Sequence, residues 1–184
     1  ACPNSCSALT PAVAVADGTY TSVTPRNAKT QCRYTAPEKE ITGCSAVTAN
    51  TVSYSSSNTW GSNYYTVTAN GGYVIANNNT ASATCTQCGA GSYSAGGTAT
   101  SCSAISAGCY GGAGSAVSCP NQCSAGTYRI SIGGKTQSDC SAVTSGCYGS
   151  AGATKACPTV CGDNKYSNSG ASSCTACPTD YKNS

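Results

Sequence analysis

Two stretches, CSAISAGCYGGAGSAVSC at residues 102–119 and CSAVTSGCYGSAGATKAC at residues 140–157, align without a gap. Cys102 stands against Cys140, Cys109 against Cys147 and Cys119 against Cys157, a period of 38 residues. A fixed period of this length marks an array of stacked supersecondary units. Reading outward, the sixteen cysteines fall into fours: Cys2, Cys6, Cys32, Cys44; Cys85, Cys88, Cys102, Cys109; Cys119, Cys123, Cys140, Cys147; and Cys157, Cys161, Cys174, Cys177. Each four opens on a close pair, written CPNSC at Cys2, CPNQC at Cys119 and CPTVC at Cys157, and GAGSY, SAGTY or GDNKY follows the later pairs. Four is an even number, enough for each unit to close two bridges by itself, and spacing does not choose among the three pairings.

The expected organisation is a divergent first cysteine repeat over 1–44, a cysteine-free insertion over 45–84, and further repeats over 85–118, 119–156 and 157–184. The insertion is the most strand-like part. Around Asn70-Gly71, a strong hairpin signal, YYTVTA precedes and GYVIA follows. A two-residue turn there sets Thr68 opposite Tyr73, Val67 opposite Val74 and Thr66 opposite Ile75. Both faces of that hairpin carry apolar groups, so cover is expected from Trp60 or from a neighbouring subunit. No stretch has the spacing of an amphipathic helix.

Composition explains why cysteine carries this fold. The chain has one Leu, five Ile, ten Val, no Phe and no Met in 184 residues. Ordering a residue costs roughly 1–2 kcal/mol, against about 25 cal/mol per Å² of apolar burial, so sixteen aliphatic side chains cannot hold the chain. Disulfides, each typically worth about 2–4 kcal/mol, take the place of a core. They persist in oxidising compartments, so an extracellular location is expected, and the opening Ala1-Cys2-Pro3 reads as that of a mature, processed chain. The expected fold class is small, disulfide-rich and mostly β: tandem cysteine-stapled hairpin and loop repeats forming an elongated rod, with a cysteine-poor β-hairpin insertion.

Several chemistries are disfavoured. Net charge is +3 and only 8% of residues are charged, with Arg26, Lys29 and Arg33 the nearest thing to a basic cluster, so no nucleic-acid partner is expected. The absence of histidine removes the usual general base and nucleophile partner. The six carboxylates, Asp17, Glu38, Glu40, Asp139, Asp163 and Asp180, are scattered over different units, which disfavours a glycosidase pair. Gly133-Gly134-Lys135-Thr136 resembles the end of a phosphate-binding loop, but Arg129 stands where that motif needs its first glycine. Cys85-Thr86-Gln87-Cys88 and Cys174-Thr175-Ala176-Cys177 have redox and zinc spacing, yet the even, histidine-free array fits disulfides better. No catalytic residue, cofactor or metal is expected.

Asn78-Asn79-Thr80 is an N-glycosylation sequon in a polar stretch. More than a quarter of the chain is Ser or Thr, which suits further O-linked sugar.

The motifs CTQCGAGSYSAGG, CPNQCSAGTYRISIGG and CTACP resemble the periodic cysteine repeats of ciliate surface immobilization antigens and, more loosely, the cysteine-rich modules of growth-factor and ephrin receptors. The resemblance covers residues 85–184 well, 1–44 weakly and 45–84 not at all. It implies a non-catalytic coat protein tethered by a lipid on its C-terminal residue, with which Lys182-Asn183-Ser184 is compatible.

Three functions are expected in this order. The first is a glycoprotein surface antigen, a structural protein of an extracellular coat. The second is a homo-oligomeric filament protomer that completes a neighbour's sheet with residues 12–23 or 63–76. The third is a carbohydrate- or receptor-like binding module that uses Tyr110 and Tyr148 of its CYG motifs.

Overall fold

The computed structural model of the chain describes residues 19–23, 31–35, 39–49, 51–54, 65–80 and 82–178. Among these it is a small, mostly β protein with short antiparallel hairpins, a single three-residue 3₁₀ turn at Gln137–Asp139 and six disulfides. It divides into two compact units, the first formed by residues 1–70 and 74–86, the second by 71–73 and 87–184.

In the first unit, β1 (Thr19–Val23), β2 (Gln31–Thr35) and β4 (Thr51–Tyr54) form a three-stranded sheet in the order β1-β2-β4. β3 (Cys44–Ala49) pairs antiparallel with β5 (Tyr65–Ala69), with a bulge between Cys44 and Ala46. Alternation in β5 is the cause of its burial pattern: Tyr65, Val67 and Ala69 are buried while Thr66 is exposed, so one face turns to the core with Ile41. Lys39 Nζ lies 5.7 Å above the Tyr65 ring, and burial raises the pKa of the Tyr65 phenol.

The hairpin expected at Asn70-Gly71 does not form. β5 pairs with β3, and β6 (Tyr73–Ala76) pairs instead with β7 (Thr84–Gln87). Main-chain hydrogen bonding is the physical reason: Asn70 N–H donates to Gly43 O, whereas Gly72 N–H donates to Ser94 O, so each side of the dipeptide is committed elsewhere. A long-range partner for β5, in a β3 that is itself tied to β7 by the Cys44–Cys85 disulfide, prevails over the local turn signal. Trp60, expected to cover this region, lies outside the described residues.

The second unit is built from two-residue strands: β8 (Ser92–Tyr93) with β9 (Ser103–Ala104), β10 (Cys109–Tyr110) with β11 (Asn121–Gln122), β12 (Thr127–Tyr128) with β13 (Ser141–Ala142), β14 (Cys147–Tyr148) with β15 (Thr159–Val160), and β16 (Lys165–Tyr166) with β17 (Thr175–Ala176). Pairs this short are too weak to stand alone. Backbone bonds between turns supply the rest. A residue with positive φ opens each turn: Gly72, Gly91, Gly108, Gly126, Gly146 and finally Asn164, spaced 19, 17, 18, 20 and 18 residues apart. The carbonyls of these six accept, in order, the N–H groups of Cys88, Ile105, Cys123, Val143, Cys161 and Cys177, at 2.8–3.0 Å.

The 38-residue period therefore contains two structural turns, since Gly108 and Gly146 are equivalent and Gly126 lies between them. Its core alternates in chemistry. Cys88 and Cys123, 1% and 0% exposed, occupy the same backbone position as Ile105 and Val143, both 0% exposed. Four successive turns each bury one residue at this position, while Cys161 and Cys177 are half-buried, which explains how so few aliphatic side chains suffice.

Candidate functional site

The cysteines are the residues singled out most firmly by the sequence, and their bonds form a pattern. The second and third cysteines of a four join each other, as in Cys88–Cys102, Cys123–Cys140 and Cys161–Cys174. The fourth joins the first of the next four, as in Cys44–Cys85, Cys109–Cys119 and Cys147–Cys157. The units are thus not closed individually, as their even cysteine counts would allow; covalent links run from each to the next. Cys177 is a free, half-buried thiol. Cys32 lies on β2, and Cys2 and Cys6 lie outside the described residues.

Neither CxxC segment is bonded to itself. Cys85 and Cys88 are held apart by Cys44 and Cys102, and Cys174 by Cys161, so these thiols are spent on structure. The amides of the Gly133–Thr136 segment likewise have an internal acceptor. Lys135 N–H at 2.6 Å and Thr136 N–H at 3.2 Å both donate to Asp139 Oδ2. Those two bonds, with smaller help from the charges of Arg129 and Lys135, lower the pKa of the Asp139 carboxyl.

Arg129 completes this loop. Its guanidinium donates to Asp139 O at 3.1 Å and Ile132 O at 3.2 Å, while Nε is buried without a partner. The Cys123–Cys140 loop spans 17 residues against 14 and 13 in its two equivalents, and the arginine supplies hydrogen bonds to two carbonyls of that longer loop. Ile130 and Ile132, each 65% exposed, face outward from it.

Asn78 sits in the exposed connection between β6 and β7. Its Oδ1 accepts from Val67 N–H and Asn79 N–H, both at 3.0 Å, and Thr80 Oγ1 donates to Asn77 O at 2.6 Å. Asn77 and Asn79 both adopt positive φ, 52° and 61°. The sequon is therefore a built, outward-facing turn, and the side-chain nitrogen that would carry sugar donates to nothing among the described residues.

Tyr110 and Tyr148 are half-buried, each the second residue of a strand, on β10 and β14. Tyr148 also lines a shallow open cavity of about 280 Å³ with Val160, Gly162, Lys165, Ser173 and Cys174. Ligand pockets are commonly larger and more enclosed. Among the described residues no three His, Cys, Asp or Glu side chains group as metal ligands would. No helix among them is long and apolar enough to cross a membrane.

Comparison with protein-family models, with curated proteins and with solved structures found no match to the chain. Cysteine spacing alone reveals neither the half-period turn nor the link bonds. The signal for the first was present in GAGSY, SAGCY, SAGTY, TSGCY and GDNKY, which place a glycine or asparagine two residues before each tyrosine.

Proposed function

We propose that the chain is a non-catalytic structural protein of an extracellular cell-surface coat, built as an extended row of disulfide-linked turns. One observation carries this reading: the bonds that join successive cysteine fours are covalent, so each four is cross-linked to the next without a large core. Such bonds require an oxidising compartment, and disulfide-dense chains with small cores are characteristic of secreted material. Exposed Ser and Thr and the outward turn at Asn78 suit a sugar-covered exterior.

Antibody raised against the chain tests the proposal on intact, unpermeabilised cells of the native source. Dense surface label by immunogold is expected, together with a glycan mass on Asn78 that Asn78→Gln abolishes. Label confined to the cell interior sinks the coat reading. An absent glycan removes the glycoprotein part alone.

A filament assembled by strand complementation is the second reading. β1 lies within one of the segments expected to serve it and, among the described residues, is an edge strand, paired with β2 on one side. Uniform filaments of the native protein in negative-stain electron microscopy would select it over dispersed particles.

A further inference from the structure

Between residues 144 and 169 three hydroxyls are spent inside the fold. Thr144 Oγ1 donates to Ala156 O at 3.3 Å, Ser167 Oγ to Cys147 O at 2.7 Å and Ser169 Oγ to Val143 O at 3.0 Å. The cleft lined by Tyr148, Val160, Gly162, Lys165, Ser173 and Cys174 differs. Its polar side chains, Tyr148, Lys165 and Ser173, end in groups with no hydrogen-bond or ion-pair partner among the described residues. Val160, 70% exposed, adds apolar surface that the fold leaves uncovered.

Covalent bonds fix the walls of this cleft. Tyr148 follows Cys147, which is bonded to Cys157, while Gly162 follows Cys161 and Ser173 precedes Cys174, two cysteines bonded to each other. Main-chain pairing sets Tyr148 opposite Thr159 and Cys147 opposite Val160, and Lys165 N–H is held to Gly162 O at 3.2 Å. A site whose walls are set before binding loses little conformational freedom when it is filled.

Size and chemistry select the occupant. At about 280 Å³ and open to solvent, the cavity lies near the lower end of small-molecule sites, about 300–1,000 Å³. It has room for one ring of a chain that runs on past it. A pyranose offers an apolar C–H face that stacks on a tyrosine ring or a valine, and an edge of hydroxyls that pairs with serine, phenol and ammonium groups. Lys165 is the one charged residue of the lining, so a sugar with a negative group gains a charge-assisted bond. We propose that the Tyr148 cleft binds an acidic sugar, a pyranose bearing a carboxylate or a sulfate within a longer glycan. Tyr148 and Val160 receive the ring and Lys165 the anionic group.

The same place one period earlier shows what confers this selectivity. Aligned by their cysteines, Tyr110, Gln122, Thr127 and Asp139 stand where Tyr148, Val160, Lys165 and Ser173 stand. There the apolar side chain and the cation are replaced by neutral polar groups, and a carboxylate is added. Tyr110 shares the CYG motif of Tyr148 but not this setting, which makes it the internal control. The inference is independent of the coat reading, since it concerns one cleft of the folded chain.

The test titrates the full chain, secreted from an oxidising host with its disulfides intact, and follows amide shifts by NMR. The probes are a hyaluronan tetrasaccharide, which carries carboxylates, a keratan sulfate tetrasaccharide, which carries sulfates, and neutral chitotetraose. Saturable shifts centred on Val160, Gly162, Lys165 and Ser173 are expected with an acidic probe, weakening as salt is raised. Binding of hyaluronan alone assigns the carboxylate, and of keratan sulfate alone the sulfate. Lys165→Gln should weaken the acidic probe about tenfold or more, the loss of a charge-assisted hydrogen bond. Tyr148→Leu, which keeps apolar bulk but no aromatic face, should weaken it too, and Tyr110→Leu should not. Lys165 is exposed, so Lys165→Gln decides the matter if Tyr148→Leu misfolds. The proposal is overturned if neither acidic probe gives saturable shifts, if chitotetraose binds as tightly, or if the shifts centre on other residues. An unchanged affinity in Lys165→Gln, or equal weakening by Tyr110→Leu, overturns it as well.

Discussion

Gly126 and Gly146 open equivalent turns with nearly the same backbone angle, φ 82° and 79°, yet differ in what stands over them. Above Gly126 a Cβ would overlap the Gly170 carbonyl; above Gly146 it enters empty space. Gly146→Ala should therefore cost only the left-handed conformation, about 1–2 kcal/mol. Gly126→Ala carries the same cost and adds overpacking, about 1–3 kcal/mol more. The Gly170 backbone cannot readily retreat, because its N–H is held to Val143 O at 3.0 Å. Measured by calorimetry with the disulfides intact, the two variants should differ by about 4–8 °C in Tm for each kcal/mol in a unit of roughly a hundred residues. Equal losses would refute the claim that successive turns stack through these glycines. A larger loss for Gly146→Ala would also refute it.

Core and surface positions should separate sharply. Ile105→Ala should cost about 2–5 kcal/mol and Ile105→Val about 0.5–1.5 kcal/mol, whereas Ile132→Ser should stay within about 0.5 kcal/mol; denaturant titration with disulfides intact reads all three. Replacing both members of the Cys123–Cys140 pair, 17 residues apart, should lose about 3 kcal/mol, and of Cys44–Cys85, 41 apart, about 4 kcal/mol, by the loop-entropy relation. Reversed order would show that native-state strain outweighs loop closure. Because the folded-state pKa of Asp139 is lowered, its contribution is present above the unfolded carboxylate pKa and fades as pH falls through the folded value. Wild type should thus exceed Asp139→Asn in stability at neutral pH and converge with it in acid, a gap that amide exchange at Lys135 and Thr136 follows directly.

What the sequence disclosed depended on how local the cause was. Cysteine richness, the lack of aliphatic bulk and the absence of amphipathic spacing all act through composition, and a mostly β, disulfide-rich chain follows from them. The Asn70-Gly71 signal was equally local and misled, because β5 has a partner more than fifteen residues away in β3 and Gly72 is engaged by Ser94. Disulfide partners were hidden for the same reason. Cys109 is seven residues from Cys102 and ten from Cys119, and only the turn geometry directs its bond to the latter. Asn164 was hard to see as a turn opener because the other five openers are glycine, although asparagine tolerates φ near 58° better than most residues.

A fold held by main-chain bonds between turns makes few demands on side chains. The recurring requirements are a residue able to adopt positive φ, a residue three positions earlier that is buried in all turns but the one opened by Asn164, and a cysteine to close the loop. The remainder can vary in length and chemistry: loops of 14, 17 and 13 residues between bonded cysteines coexist with the same turn-to-turn bonds. In the longest, Arg129 and Asp139 satisfy the added backbone and two isoleucines are tolerated in water. Exposed sequence is thereby uncoupled from stability. That uncoupling is the property an outward-facing coat would exploit, since its surface can change while the disulfide-linked turns beneath it do not.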